Sequence, residues 1–233
     1  MQYSNPYIEL CLEGSYSIFN GLNKKDKEII AQHHTLAILK KGFFLFKEGD
    51  KSHGVICLAS GKVKVFKEGV GGREQILKMV RQQGLIGYHA LFSDSLWSFS
   101  AAAIEDSAIC IFEKRSLVEI LKRNADLAIK LIKVITEELC FSNSRTVSLT
   151  QKHVRGRLAE SLLVLRDIYG YEADGKTIRV SLPREDIASF SNMTTSNAIR
   201  TLSHLASERT IEIKGRKICI LDSTTLEQIS EMG

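Results

Sequence analysis

The sequence predicts an α+β chain, with strands gathered in the N-terminal half and a helix-turn-helix closed by a hairpin at the C-terminal end. Three observations predict it. Between Leu36 and Phe112, short apolar runs are separated by glycines at 42, 49, 54, 61, 71, 72, 84 and 87. From about Lys114 the pattern turns helical, and about 25 residues after Asn124 contain neither Pro nor Gly. From Leu182, LPREDIASFSNMTTSNAIRTLSHL has the punctuation of two short helices around a tight turn.

The elements follow in order. Residues 17–34 hold a small helical segment, with KKDKEIIAQH as its helix. FFLF, VICLA, KVKVF, EQILKMV and SAICIF have strand length and composition. Many short strands with glycine turns argue for a barrel or sandwich. Leu117, Ile120 and Leu121 mark a short helix. A long helix, opened by Asn124 or Asp126, carries Leu127, Leu131, Val134, Ile135 and Leu139 on one face. Its length is about 37 Å at 1.5 Å per residue. Such a rod either connects domains or pairs with its twin. The dimer is the favoured use, set by Leu131, Ile135 and Leu139. Gly156 marks a hinge at about 148–156, and RGRLAESLLVLRDIYG is a further helix. The expected domains are 1–123, a strand-rich domain with flanking helices, 124–150, the long helix and hinge, and 151–233.

The last domain carries the most specific motif. Pro183 suits the first turn of a helix over Arg184–Phe190. Ala188 is small where two helices cross. Asn192 tolerates the left-handed backbone of the turn, and Thr194 is a good N-cap for the second helix. Ala198, Leu202 and Leu205 make its core stripe. Thr195, Ser196, Asn197 and Arg200 face away, and Arg can take both acceptors of a guanine edge. In TIEIKGRKICIL, two alternating strands flank a cationic turn of Lys214, Arg216 and Lys217. A helix-turn-helix followed by a hairpin is a winged helix, which implies double-stranded DNA as partner, with Arg184 and the turn placed for phosphates.

Composition bounds the rest. The 233 residues are 44% hydrophobic and 25% charged, with net charge +5. Residues 151–233 hold 12 Lys+Arg against 11 Asp+Glu, so DNA binding must come from a local patch. Lys152, Arg155 and Arg157 are further candidates for it. No apolar run reaches the ~18 residues of a membrane span, and the N-terminus lacks a signal pattern, so a cytoplasmic location is expected. The cysteines at 11, 57, 110, 140 and 219 have no CxxC spacing. Cys57, Cys110 and Cys219 lie in apolar runs, as buried small hydrophobes do, and no disulfide is expected.

The order of parts resembles the cyclic-AMP receptor protein and fumarate-nitrate regulator (CRP/FNR) family of bacterial transcription regulators. The resemblance runs over about 17–221. It is carried by LKKGFFLFKEGDKSHGVICLASGKVKVFKEGVGGREQILKMVRQQGLIG, Leu91-Phe92, the helix after Asn124, VRGRLAESLLVL and LPREDIA. It implies a β-roll of the cyclic-nucleotide-binding type (a double-stranded β-helix or jelly roll), a dimerising helix and a winged helix. Such a protein would bind DNA as a homodimer, switched by a small effector in the roll.

Carried over residue by residue, the resemblance turns partly negative. The glycine of the family's phosphate cassette matches Gly87. The Glu that holds the ribose is replaced by Tyr88, and the Arg-Ser pair that grips the phosphate by Ser98 and Phe99. A cyclic phosphate without a counter-charge loses its strongest bond, so weak or no binding of cyclic AMP is expected. Ser142 and Asn143 match the pair facing the base, which leaves another ligand open. With Cys11 alone near the N-terminus, an iron–sulfur cluster is not expected. Haem stays open, with Met79, His89, His53, His33 and His34 as candidate ligands. On the recognition helix, Ser196 replaces the usual Glu while Arg200 matches the base-reading Arg. The half-site should therefore differ at one position.

Two rival readings stand beside this one. A constitutive dimer with an empty pocket would fit the replaced cassette. A metal oxygenase on a similar roll needs clustered His and carboxylate ligands, and no HxH with a following Glu is present, so no enzyme is expected. Effector, target genes and the sign of regulation are not readable, nor is a patch for RNA polymerase.

Overall fold

The computed structural model describes Tyr3 and residues 5–93 and 96–233. It divides into two compact units, Met1–Lys67 with Met79–Leu139, and Glu68–Lys78 with Cys140–Gly233.

The first unit opens with α1 (Pro6–Glu13) and α2 (Lys24–Gln32). Each starts where an Asn side chain accepts a helix N–H: Asn5 from Ile8 and Asn23 from Asp26, both at 2.9 Å. Eight strands follow: β1 (His34–Leu39), β2 (Phe44–Phe46), β3 (Gly54–Ser60), β4 (Val63–Glu68), β5 (Glu74–Val80, most of which is counted with the second unit), β6 (Leu85–Ile86), β7 (Ser100–Ala103) and β8 (Ser107–Glu113). They form two four-stranded sheets, ordered β1-β8-β3-β6 and β2-β7-β4-β5. This interleaving is that of a jelly roll. Ile56, Leu58 and Ile109 face Phe46, Val63, Val65 and Ala101 in the core between the sheets. The outer face of the first sheet is also covered. There Val55, Cys57, Cys110 and Phe112 pack against α1, α3 (Lys114–Arg123) and the start of α4 (Ala125–Gln151). Burial on both faces explains why VICLA reads as a continuous apolar run rather than an alternating one.

Five of the eight strands answer to the runs picked out in the sequence. β7 does not, because its SAAA carries no β-branched or aromatic residue. It is a strand because Ala101, Ala102 and Ala103 are buried between β2 and β4. Asn124 opens α4, its side chain accepting from Leu127 N at 2.9 Å.

The second unit holds α5 (Val154–Tyr169), α6 (Arg184–Phe190), α7 (Thr195–Ser207), the hairpin β9 (Ile211–Lys214) and β10 (Lys217–Ile220), and α8 (Ser223–Met232). Gly156 does not break the chain as expected. It lies inside α5, where a Cβ would stand 2.6 Å from the carbonyl carbon of Gly233. A close backbone approach, not a hinge, requires glycine there. The break falls at Lys152–His153, where His153 N donates to Gly233 O.

Candidate functional site

The helix-turn-helix forms as its local chemistry dictates. Asn192 adopts φ +50°, the left-handed conformation the turn needs. Thr194 caps α7, its hydroxyl accepting from Asn197 N at 3.2 Å. Ala188 and Ala198 are both buried, and their small size lets α6 and α7 cross closely. Ala198, Leu202 and Leu205 bury one face of α7. Ser196 and Arg200 lie exposed on the opposite face, with no hydrogen-bond or ion-pair partner among the described residues. Thr195 and Asn197 flank it, half-buried. Ile199, unforeseen from the sequence, is 48% exposed beside Arg200. Helical spacing shows it, since 199 falls outside the 198/202/205 stripe.

From behind, α6 is held by Arg145, which the sequence reading also missed. Its guanidinium donates to the Phe190 carbonyl and sits 4.7 Å from that ring's centre. Burial lowers its pKa, opposed by Glu160 at 3.9 Å.

The basic candidates divide. Arg216 at the hairpin tip has no partner among the described residues, whereas Lys214 pairs with Glu212 at 3.0 Å and Lys217 with Glu172 at 2.9 Å. The turn is Gly215-Arg216, with Gly215 at φ +62°, the position where a type II′ turn takes glycine. Arg184 donates to the Gly215 carbonyl at 2.7 Å, tying α6 to the hairpin tip. Three further candidates are engaged internally. Arg155 binds Glu208 through two bonds of 2.7 and 2.5 Å, Arg157 donates to Leu149 O, and Lys152 lies 3.5 Å from Glu160.

In the first unit, the stretch matched to the cassette is packed by the chain's own rings. Gly87 has φ +81°, and a Cβ there would stand 2.0 Å from the Trp97 indole. Trp97 stacks on Phe46 at 3.8 Å between centroids and 13° between planes. Phe99 and His89 pack on Trp97 and on each other. Ser98 is exposed. Tyr88 donates its hydroxyl to Glu138 on α4. Burial and that bond raise the Tyr88 pKa, while burial lowers that of His89. Glu138 thus touches the cassette, a role the sequence reading had not seen. Ser142 and Asn143 are exposed on α4.

The long helix divides the residues expected to set a dimer. Leu131 is 3% exposed and Ile135 is half-buried, both packed into the first unit's own core with Leu127. Leu131 is thereby consumed by the core of its own chain. Leu139 is 60% exposed, as are Ile129 at 63% and Ile132 at 61%.

The haem candidates sit in different settings. Met79 is buried in a strand, His34 bonds the Ala31 carbonyl, His33 lies 3.4 Å from Glu113, and His53 is exposed. Among the described residues, no group of three or more His, Cys, Asp or Glu side chains is placed to hold a metal. Cys11, Cys57, Cys110 and Cys219 are buried and Cys140 is exposed, all as free thiols. The Cys110 thiol is held well above its ordinary pKa by its bond with Cys11 and by burial, which keeps it protonated and unreactive.

Comparison with known proteins places this geometry. Residues 37–124 match the model of the cyclic nucleotide-binding domain, and residues 156–229 match that of the Crp-like helix-turn-helix domain. The chain belongs to the CRP/FNR family of transcription regulators. Similar CRP/FNR proteins include electron transport regulator A of Shewanella oneidensis, 26% identical over 82% of this chain and 77% of that protein. The CRP-like cAMP-activated global transcriptional regulator of Mycobacterium tuberculosis is 24% identical, over 90% of this chain and 94% of its own. Among solved structures, FixK2 from Bradyrhizobium japonicum superposes with a TM-score of 0.75 at 21% identity, covering 84% of this chain and 96% of that one. The CRP/FNR assignment makes this chain a DNA-binding transcription regulator rather than an enzyme. No described helix is long and apolar enough to cross a membrane.

Proposed function

We propose that this CRP/FNR regulator reads a two-fold DNA site as a homodimer and is switched by a small effector other than a cyclic nucleotide. One contrast carries the reading: Arg200 and Ser196 stand exposed on α7 with no partner among the described residues, while Gly87 lies under Trp97. Arg200 would take guanine O6 and N7, and Ile199 offers an apolar contact to a neighbouring thymine methyl. Thr194, Thr195, Asn197, Arg184 and the hairpin cations would meet phosphates, with Arg216 the least encumbered. The relative from M. tuberculosis is named as cAMP-activated. Here Ser98 and Phe99 offer no cation to a cyclic phosphate, and calorimetry with cyclic AMP and cyclic GMP should be silent.

The dimer would form along α4. Ile129, Ile132, Thr136, Leu139 and Asn143 follow alternating steps of three and four, the heptad seam of a coiled coil. All five are exposed. The seam is apolar at its start and polar further on, so modest changes in Tyr88–Glu138 contact on the same helix could bias how the pair closes. The test is selection from randomised sites with wild type and Arg200→Ala, alongside sedimentation of Leu139→Asp. A two-fold site whose specificity relaxes at one base per half in Arg200→Ala, and a monomer for Leu139→Asp, are expected. Unchanged selectivity would sink the reading head; an intact dimer would sink the seam.

A further inference from the structure

We infer that the β-roll holds a second ligand site, outside the cassette, for a small planar aromatic carboxylate. This rests on the regulator reading above. A cavity of about 360 Å3 opens between the two sheets at the β2–β3 end. That volume lies within the range of about 300–1,000 Å3 typical of small-molecule sites. Its walls are Leu45, Phe46, Ile56, Ile111 and Trp97.

Three features select the ligand. Phe46 and Trp97 form a stacked pair, a rigid aromatic wall against which another flat ring gains contact at little entropic cost. The walls below are aliphatic and cannot satisfy a buried polar group, so the inserted part must be apolar. The mouth carries Lys51 and His53, both exposed and with no hydrogen-bond or ion-pair partner among the described residues. Asp50 also lines the mouth, but its carboxylate accepts from Lys47 N at 2.8 Å within its own loop. Among the described residues, the unengaged side chains at the mouth are both basic, and a ligand carboxylate there meets Lys51 as a charge-assisted partner.

The loop bearing this mouth is fixed in place. Gly54 sits so close to β8 that a Cβ would stand 2.0 Å from the Phe112 carbonyl oxygen. Gly49 N donates to Trp97 O at 2.8 Å and Trp97 N donates to Asp50 O at 2.9 Å. Trp97 is thus a wall of the cavity on one side and the cover of Gly87 on the other. The residue after Gly87 is Tyr88, bonded to Glu138. A ligand that moves Trp97 would disturb that bond.

The chain has one tryptophan, so its indole N–H resonance is a single signal that senses both this cavity and the Gly87 side, and the Lys51, His53 and Ile111 variants below tell the two apart. The experiment is calorimetry of the full chain with 2-naphthoate and with its neutral amide, together with that resonance. Saturable binding of the carboxylate, at least tenfold tighter than the amide, with a shifted indole signal is expected. The exposed double change Lys51→Ala, His53→Ala should erase the carboxylate's advantage while leaving the melting curve intact. Ile111→Phe should weaken both probes. No saturation, equal affinity for acid and amide, or heat without an indole shift would each overturn the site. DNA binding is read separately. Silence in the cavity with Arg200-dependent DNA binding intact refutes this inference alone, and loss of Arg200 dependence refutes the regulator reading alone.

Discussion

The residues around Gly87 and the exposed face of α7, the two places where the proposed regulator would read a ligand, are built in opposite ways. In the cassette the chain answers itself. Trp97 covers the glycine, Phe99 and His89 pack on Trp97, and Tyr88 finds Glu138. On α7, Arg200 and Ser196 find no partner among the described residues. A side chain whose bonding is already satisfied contributes to stability, and one left unsatisfied in water is available to an outside ligand. The difference separates packing from recognition within one chain.

The comparison can be broken most sharply at Gly87. An Ala there must adopt a left-handed backbone and displace an indole, each costing about 1–3 kcal/mol, so Gly87→Ala should lose about 2–6 kcal/mol. Urea unfolding followed by Trp97 fluorescence checks it, and a wild-type midpoint would mean the indole does not cover the glycine. Along α4 the same contrast separates neighbouring stripes. Leu131→Ala should cost about 2–5 kcal/mol through the cavity it leaves. Leu139→Ala, altering an exposed side chain, should leave monomer stability nearly unchanged and weaken self-association instead. If both behave alike, the two faces of α4 have been misassigned. On α7, Arg200→Ala should cost about 1–3 kcal/mol in specific DNA binding with no change in melting temperature. A fall in melting temperature would show that Arg200 is a packing residue. Thr194→Ala, which removes the cap, should cost about 1 kcal/mol of stability; hydrogen exchange at the first turn of α7 would reveal whether the loss is local.

The helix-turn-helix was legible because its signals are local. Asn192 in the turn, Thr194 as cap and the 198/202/205 stripe each act within a few residues of themselves. The wing was legible for the same reason, with Gly215 placed where a two-residue turn needs it. β7 was not legible, since three alanines favour no strand until neighbours bury them. The long helix was legible as a helix but not in its facing. It carries two apolar stripes, 127/131/135 and 129/132/139, and periodicity alone cannot say which one its own core consumes. Gly156 misled because a glycine needed for close approach looks in sequence like one needed for flexibility.

The sequence by itself determined the strand-rich half, the long helix and the winged helix in that order, the helix boundaries at Pro183 and Thr194, and the family. These depend on side-chain chemistry that acts over a turn or two. Only the tertiary structure decided that Trp97 lies over Gly87, that Tyr88 meets Glu138 fifty residues on, that Arg155 is spent on Glu208, and that Leu131 belongs to the core. Each of these pairs residues far apart in the chain, and their meeting depends on how strands and helices pack.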